Sequence, residues 1–177
     1  MNKLLLFFLL ILGLTSCGGG GSIENSCTNT IQASFVTDTM YGELLAKENF
    51  EIAKLVVQAY TNIEIDTFRL SLFGYQSLAG PKDMKVKLKL LAIDDELSDT
   101  TNIANGKIIF GVKTVSIAPR ESRTFSILAD LRDFQKNDAI TISIQKNDLW
   151  TVNCGNRKNI SPLTKGSIYA TTYIKTK

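Results

Sequence analysis

The stretch RTFSILADLRDFQKNDAITISIQ, residues 123–145, decides the fold class because both of its ends alternate apolar and polar residues. The apolar positions are Phe125, Ile127 and Ala129 in the first segment, and Ile140, Ile142 and Ile144 in the second. A period of two places these side chains on one face of an extended strand. The stretch therefore predicts two half-buried β-strands joined by a short loop.

The same period recurs on both sides of this stretch. Alternating segments are FEIAKLVVQA (50–59), MKVKLKLLAI (84–93) and SIYATTYIK (167–175), with shorter apolar runs at KIIFGV (107–112) and VSI (115–117). Turn-forming pairs separate them at Gly80-Pro81, Asn105-Gly106 and Ala118-Pro119. This pattern predicts an all-β fold, an antiparallel β-sandwich of about seven to eight strands. Helix formers gather in YGELLAKEN, Tyr41–Asn49, where we expect a short N-terminal helix.

The segment IEIDTFRLSLF (63–73) changes register within itself. Its apolar residues are odd-numbered at Ile63 and Ile65 but even-numbered from Phe68 onward. A shift of one residue turns every later side chain to the other face unless an extra residue intervenes. We therefore expect a β-bulge or bend at Asp66–Thr67.

The stretch VSIAPRESRTFSILADLRDFQKNDAITISI, residues 115–144, resembles the paired late strands of immunoglobulin-like domains of bacterial surface proteins. In that family a proline-led turn and a Ser-x-Thr-aromatic sequence enter one strand, and an Ala-Asp pair with a short loop leads into the next. Here Arg120 follows Pro119, where the family often has glycine. The resemblance implies an immunoglobulin-like sandwich and says little about activity.

The N-terminus has the order of parts found in a secretory signal peptide. Lys3 supplies a positive charge, and the apolar run 4–14 is too short to span a bilayer as a helix, which needs about 20 residues. The sequence Leu14-Thr15-Ser16-Cys17 then resembles the lipobox of bacterial lipoproteins. That resemblance implies cleavage before Cys17, diacylation of its sulfur and, commonly, acylation of its new amine with fatty acids such as palmitate. An ordinary secretory signal with an incidental cysteine is the alternative.

This interpretation divides the chain into a signal peptide (1–16), a lipidated cysteine with a Gly-rich tether (17–27) and one β-sandwich domain (28–177). The lipobox resemblance implies export and a lipid anchor in the bacterial envelope. Gly18 in place of aspartate favours the outer membrane over the inner. Removal of Lys3 leaves 19 basic and 17 acidic residues, a formal net charge of +2, which argues against nucleic acid as a partner.

The two other cysteines, Cys27 and Cys154, form an even pair in an exported chain. Such a pair is typical of a disulfide in an oxidising compartment, although the sequence leaves free thiols open. A zinc site is the more specific alternative, but the chain has no histidine and no C-x-x-C pair to complete it. We therefore predict a Cys27–Cys154 disulfide.

The lysine stripe Lys85, Lys87 and Lys89 is a candidate for contact with a partner. Alternate lysines on one strand face suit anionic lipid or another acidic surface. The alternative is that they protect an edge strand from aggregation.

Three aromatic residues, Trp150, Tyr169 and Tyr173, are candidates for contact with a ligand. Tyr169 and Tyr173 lie on one face of a predicted strand and suit a small ligand or a carbohydrate. The alternative for the two tyrosines is that they cover the outer face of a sheet. For Trp150, four residues before Cys154, the immunoglobulin-like resemblance implies the alternative of packing on the disulfide, although the order of residues is not the antibody pattern.

The acidic cluster Asp94, Asp95, Glu96 and Asp99 is a weak calcium candidate, because calcium takes six to eight oxygen ligands. The EF-hand spacing is absent, and a solvated acidic turn is the more usual role of such a cluster. We expect no cofactor and no other metal.

Catalytic motifs are scarce in this sequence. Without histidine there is neither the commonest general base nor a Ser-His-Asp triad. SIQK, Ser143–Lys146, matches S-x-x-K, but it falls in a strand pattern and lacks the S-D-N and K-T-G partners. We therefore expect a protein that is not an enzyme, and a carboxylate-only hydrolase is disfavoured.

These observations together predict a lipid-anchored, non-enzymatic protein of the cell envelope. Its anchor meets membrane lipid, and its domain binds or scaffolds an envelope protein or a surface polymer. The alternative is a lipid-anchored module for a small ligand or carbohydrate. An unpaired strand edge or exposed apolar patch favours the first role, and a concave pocket with converging polar groups favours the second.

Overall fold

The computed structural model describes residues 27, 29–36, 39–43, 49–73, 85–90, 95–97, 101–102, 106–132 and 134–175. This part of the chain forms two packed β-sheets of seven strands each and contains no helix. None of it is therefore a helix long and apolar enough to cross a membrane. The all-β sandwich that the sequence predicts is confirmed. The lipobox, Cys17 and residues 18–26 of the tether lie outside the described residues.

Sheet A contains β1 (Ile31–Phe35), β3 (Phe50–Ala59), β5 (Lys85–Leu90), β6 (Asp95–Glu96), β7 (Thr101–Asn102), β9 (Ser122–Ala129) and β13 (Leu163–Thr164). Its order is β13-β1-β3-β9-β5-β6, and β7 also pairs with β5. The pairs are antiparallel except for β1 with β13, which is parallel.

Sheet B contains β2 (Thr39–Glu43), β4 (Ile63–Phe73), β8 (Lys107–Ile117), β10 (Ala139–Ser143), β11 (Trp150–Asn153), β12 (Arg157–Ile160) and β14 (Tyr169–Lys175). Its order is β12-β11-β4-β10-β14-β2, and β8 pairs with the other edge of β4. The pair β14–β2 is parallel and the others are antiparallel.

The hydrophobic core lies between the sheets and follows the alternation in the sequence. The inward positions that alternation predicts on β9, β10 and β14 are buried at Phe125, Ile127, Ala129, Ile140, Ile142, Ala170, Thr172 and Ile174. Alternation also places Ile168 in this set, which is wrong: Ile168 precedes β14 and is 44% exposed. The ring of Phe68 packs against Phe125 at 5.1 Å and against Trp150 at 4.9 Å between centroids. Because Phe125 belongs to sheet A and the other two rings to sheet B, this aromatic cluster joins the sheets.

The predicted bulge in β4 is confirmed. The register shifts between Ile65 and Thr67 against both β8 and β11. Asp66, at the shift, accepts a hydrogen bond from Thr114 Oγ1 at 3.1 Å and pairs with Arg157 at 3.1 Å. The extra residue turns the apolar set from odd to even positions, as the sequence requires.

A second irregularity, in β3, escaped the sequence interpretation. The register against β9 shifts between Glu51 and Ala53, so Ile52 has no partner there. Thr172, buried on the facing sheet, donates its Oγ1–H to the carbonyl of Ile52 at 2.6 Å. This hydrogen bond crosses the core and satisfies a carbonyl at the bulge.

Several predictions about single elements are wrong. KIIFGV and VSI form one strand, β8, because the register shift opposite Asp66 absorbs the residues between them. In the predicted helix, Tyr41–Glu43 belong to β2, Asn49 has a left-handed φ of 59°, and residues 44–48 lie outside the described part. The described part also divides into fourteen strands, from two to eleven residues long, rather than seven or eight.

The two strands of the immunoglobulin-like resemblance do not pair with each other. β9 lies in sheet A between β3 and β5, and β10 lies in sheet B between β4 and β14. In the turn before β9, the Glu121 N–H donates to the Ala118 carbonyl at 3.0 Å, and Arg120 has a φ of 65°. Arg120 therefore occupies a left-handed position of the kind that favours glycine.

A disulfide joins Cys27 to Cys154, as predicted, and their Cα atoms are 6.0 Å apart. It ties the first described residue to the residue that follows β11, across a separation of 127 positions. A closed loop of that length restricts the unfolded chain and contributes roughly 5 kcal/mol in the chain-entropy model.

Candidate functional site

An open groove of about 1090 Å³ lies between the β12–β13 segment and the turn after β10, and we call it the side groove. Its apolar lining is Ile144, Ile160, Pro162, Leu163 and Ile168, and its polar lining is Asn29, Gln145, Asn147, Asn159, Ser161 and Thr164. Leu163 and Ile168 are 41% and 44% exposed. Among the described residues that line the groove, Lys146 alone carries a charge. The groove therefore offers apolar contact beside amide and hydroxyl groups.

Two strand edges border the side groove. The chain leaves sheet B at the end of β12 and enters sheet A as β13 after only Ser161-Pro162. Over the ranges that the structure covers, β12 pairs only with β11, and β13 pairs only with β1. Each strand thus keeps an unpaired edge, with backbone donors and acceptors beside exposed apolar side chains.

The turn Gln145–Asp148 contributes to the wall of the side groove and is fixed by a buried carboxylate. Asp148 is fully buried, and its Oδ2 accepts the Gln145 N–H at 2.8 Å. Its Oδ1 lies 2.6 Å from Lys107 Nζ, and Ser71 Oγ lies 2.9 Å from both carboxylate oxygens. These contacts compensate the buried charge and hold the turn in place.

The charge around the side groove is positive. Lys146 is exposed on the turn. Lys158 and Lys165 are also exposed, and each directly adjoins a lining residue in the sequence. A neutral or acidic ligand suits this surface better than a basic one.

Tyr169 and Tyr173 lie on the outer face of sheet B, at 48% and 45% exposure. The register places Ser143 opposite Tyr169, and it places Phe73 opposite Thr141. Phe73 is 47% exposed. We call this surface the outer aromatic face, composed of Phe73, Ala139, Thr141, Ser143, Tyr169, Thr171 and Tyr173.

Trp150 is not available for surface contact, which corrects its place among the ligand candidates. The side chain is fully buried, and its indole N–H donates to the carbonyl of Arg69 at 2.8 Å. Arg69 lies where the edge of β4 changes partner from β11 to β10. The indole therefore satisfies a carbonyl at a gap in the ladder and fills the core.

The lysine stripe lies on a strand that is paired on both sides. β5 pairs with β9 along one edge and with β6 and β7 along the other, so it is not the free edge that the protective alternative assumed. The backbone register pairs Lys87 with Leu128 and Lys89 with Ser126, and it pairs Lys85 with Asn102. The lysine side chains lie outside the described part.

The acidic cluster is only partly described. Asp95 and Glu96 form β6 opposite Leu90 and Lys89, whereas Asp94 and Asp99 lie outside the described residues. In the described part of the chain, no group of three or more metal-ligating side chains comes together. The calcium hypothesis therefore gains no support from these residues.

A smaller recess of about 550 Å³ lies beside Cys154, and its two carboxylates already have partners. Glu64 accepts a hydrogen bond from Asn153 Nδ2 at 3.0 Å. Glu121 accepts the Ala118 N–H at 3.0 Å and pairs with Arg123 at 2.7 Å. These contacts stabilise the ends of strands and turns.

The S-x-x-K match does not open a helix. Ser143 ends β10, and Lys146 lies in the turn that follows. The segment therefore lacks the helical setting in which that motif provides a nucleophile.

Sequence reasoning missed both the side groove and the Lys107–Asp148 pair. One local signal was present, because Gln-Lys-Asn-Asp occurs at 135–138 and again at 145–148. The lysine that compensates Asp148 is 41 positions away on β8. Only the tertiary register reveals that pairing.

No protein-family model matches the chain, and no curated protein matches it. Among solved structures, it is similar to the apo form of the Calx CBD1 domain, at 14% identity and a TM-score of 0.39, covering 84% of this chain and 98% of that one. It is also similar to AvmM, which catalyses macrocyclization in alchivemycin A biosynthesis, at 15% identity and a TM-score of 0.41, covering 84% of this chain and 90% of AvmM. A family 123 glycoside hydrolase from Clostridium perfringens is similar at 11% identity and a TM-score of 0.40, and the match covers 84% of this chain and 28% of the hydrolase. Similarities this low carry no argument about function.

Proposed function

We propose that this chain is a lipid-anchored, non-enzymatic binding module of the bacterial envelope that holds an extended segment of a partner protein in the side groove. The observation that carries the proposal is that two strand edges, on β12 and β13, with which no described strand pairs, meet beside the exposed side chains of Leu163 and Ile168. An extended peptide adds to such an edge through backbone hydrogen bonds, and adjacent apolar surface selects its alternate side chains.

The partner segment is acidic as well as apolar. Lys146, Lys158 and Lys165 are exposed around the side groove, and no carboxylate is among the described residues that line it. A second copy of the same edge would bring like charges together, which disfavours self-pairing. An acidic segment of a different envelope protein is the occupant that this charge favours.

The anchor is part of the proposal. In it, Cys17 carries the lipid, and a single domain follows the tether at 17–27. The tether has a reach of roughly 17–19 Å if it behaves as a flexible Gly/Ser coil. Such a length keeps the side groove close to the membrane surface, and the outer membrane is favoured over the inner.

A non-enzymatic role agrees with the chemistry of the chain. The sequence contains no histidine. The carboxylates of the smaller recess, Glu64 and Glu121, are engaged in hydrogen bonds within the fold.

The groove is tested by photo-cross-linking in cells of the source organism. A photoreactive amino acid replaces Leu163 in the full chain, and mass spectrometry identifies the peptide to which it becomes attached. The proposal expects one recurrent adduct with an acidic, apolar-alternating segment, and Lys158→Glu together with Lys146→Glu should remove it because the charge is reversed.

The matched control places the same photoreactive residue at Tyr60, which is also exposed but does not line the side groove. An adduct that forms equally from both positions, or a captured segment that is basic, overturns the proposed groove. So does the absence of any adduct from position 163.

The anchor is tested separately by Cys17→Ala. Metabolic labelling with palmitate should fail in this variant, and the protein should leave the membrane fraction. Label that persists after the substitution contradicts the lipobox interpretation without bearing on the groove.

A further inference from the structure

The chain enters the domain at one end of the side groove. Cys27 is joined to Cys154, and its Sγ lies 3.8 Å from the carbonyl oxygen of Asn156, the residue that precedes β12. Asn29, two residues after Cys27, lines the groove. Because two residues span at most about 7 Å, the part of the chain that precedes Cys27 is attached close to the groove.

The tether sequence before Cys27 has two parts that differ in their side chains. Residues 18–21 are four glycines, whereas residues 22–26 read SIENS and include Ile23 and Glu24. We call residues 22–26 the SIENS segment. Glycine and serine alone make a flexible spacer, so this segment carries more than a spacer needs. Its isoleucine and carboxylate are the two types of side chain that suit the side groove.

The charge around the side groove favours the SIENS segment as an occupant. Lys146, Lys158 and Lys165 are exposed, and none of them forms an ion pair with another described residue. No carboxylate is among the described residues that line the groove. The carboxylate of Glu24 is complementary to these lysines, and the chain itself holds it nearby.

We propose that the SIENS segment occupies the side groove as a strand added to β12 and competes there with the segment of the partner protein. This inference rests on the proposed function, because it concerns the regulation of the same site. A segment that runs back from Cys27 along β12 is antiparallel to that strand, since β12 begins directly after Asn156. Five extended residues span about 17 Å and the four residues of β12 about 13 Å, so the segment is long enough to cover the strand.

The antiparallel arrangement pairs apolar side chains. Ile23 precedes Cys27 by four residues, and Ile160 follows Asn156 by four, so the two isoleucines come to the same level. Ile160 is only partly buried where it packs against the core, and an apolar cross-strand neighbour would cover it further. Glu24 adjoins Ile23 and therefore lies within the positive surroundings of the groove.

Occupation by the chain's own segment regulates access to the side groove. A short flexible link gives the SIENS segment an effective concentration in roughly the millimolar range. The partner then binds only to the fraction of molecules whose groove is empty, which lowers its apparent affinity by that fraction. A partner segment with more apolar and acidic side chains than the SIENS segment displaces it, whereas a weaker segment is excluded.

Photo-cross-linking of the purified full chain tests self-occupation in the absence of a partner. The photoreactive amino acid replaces Leu163, and the control position is Phe73, which is 47% exposed and does not line the groove. Isotope-labelled and unlabelled proteins are mixed, so that mass spectrometry distinguishes adducts within one chain from adducts between two. The inference expects an adduct from position 163 to residues 22–26 of the same chain, and none from position 73.

Substitutions in the SIENS segment identify the side chains that hold it. Ile23→Ser and Glu24→Lys should each lower the yield of the adduct within the chain about threefold, and Asn25→Ser is the matched control. Glu24→Lys combined with Lys146→Glu and Lys158→Glu should restore the yield, because the charges are exchanged.

Capture of the partner in cells tests the competition. Replacement of both Ile23 and Glu24 by glycine keeps the length of the tether and should raise the partner adduct from position 163 about threefold. The inference is overturned if the adduct with residues 22–26 is absent, joins different chains, or does not respond to the substitutions and the charge exchange. Equal capture of the partner with and without the two glycines also overturns it.

The two proposals fail in different ways. A partner adduct from position 163 without any adduct to residues 22–26 refutes self-occupation and leaves the proposed function intact. An adduct to residues 22–26 without any partner adduct refutes the proposed function and leaves the groove occupied by its own tether.

Discussion

The two Gln-Lys-Asn-Asp turns, residues 135–138 and 145–148, flank β10 and share the same pattern of local hydrogen bonds. In each, the glutamine N–H donates to the aspartate Oδ2 at 2.8 Å. The aspartate N–H returns a bond to the glutamine carbonyl, at 3.1 Å in the first turn and 2.8 Å in the second. Both aspartates are buried. The same four residues therefore give both turns the same short-range hydrogen bonds.

The turns differ in what fixes them to the rest of the domain. The first is tied by its backbone: the Asn137 N–H donates to the carbonyl of Ile174, and the carbonyl of Asp138 accepts the Ile174 N–H. The second is tied by its side chain, because Asp148 pairs with Lys107. Only the second turn lines the side groove. The comparison teaches that local sequence sets the hydrogen bonds within the turn, whereas the neighbouring strands decide whether its carboxylate enters an ion pair.

The largest expected effect comes from removing the cation of the second turn. Lys107→Met leaves Asp148 fully buried without its charge partner, and loss of one member of a buried pair costs several kcal/mol. Because Lys107 keeps 29% of its side chain exposed, we expect the low end, a loss of about 3 kcal/mol in the free energy of unfolding. Urea unfolding measures this loss.

Lys136→Met is the control for that substitution. Lys136 is the exposed lysine of the first turn, and the same chemical change there should alter the free energy of unfolding by no more than about 0.5 kcal/mol. If the two methionine variants unfold at the same urea concentration, the Lys107–Asp148 pair does not stabilise the second turn more than the exposed Lys136 stabilises the first.

A smaller effect should separate the two aspartates. Asp148→Ala removes charge-assisted bonds to Lys107 and Ser71 together with the turn bond, a loss of about 2 kcal/mol. Asp138→Ala removes mainly the bond from Gln135, a loss of about 1 kcal/mol. Urea unfolding of both variants, with equal m-values, checks the difference. A larger loss at Asp138 would contradict the account of the second turn.

The strands and the β4 bulge could be predicted because their signal is local. The period of two, and its slip between Ile65 and Phe68, can be read from consecutive residues. When one face of the strand is buried, such a slip requires a bulge that turns the later side chains back to that face. The β3 bulge carried the same signal, since the buried positions pass from Ile52 to Leu55. The physical meaning of that slip is the same as in β4.

The candidate sites could not be predicted to the same degree because they depend on which strands become neighbours. The sequence leaves Trp150 open to ligand contact or to packing inside the sandwich, and only the register places its indole beside the Arg69 carbonyl. The side groove exists because β12 and β13 belong to different sheets yet are joined by two residues. Alternation predicts that Tyr169 and Tyr173 lie on one outer face, as the structure shows, but Phe73 joins them only through the pairing of β10 with β4. Alternation predicts on which face of a strand a side chain lies, but it does not predict which side chains of other strands lie beside it.

The smallest expected effect concerns the asparagine at the third position of each turn. Asn137 has a φ of 70°, in the left-handed region that glycine adopts without strain, whereas Asn147 is not among the residues with positive φ. Asn137→Gly should therefore change the free energy of unfolding by less than about 0.5 kcal/mol. Asn147→Gly should lower the free energy of unfolding by about 1 kcal/mol. Glycine raises the entropy of the unfolded chain, and at position 147 it relieves no backbone strain in the folded state. Urea midpoints of the two variants measure the contrast. Equal midpoints would contradict the prediction that the different backbone conformations of Asn137 and Asn147 make glycine tolerable at one position and destabilising at the other.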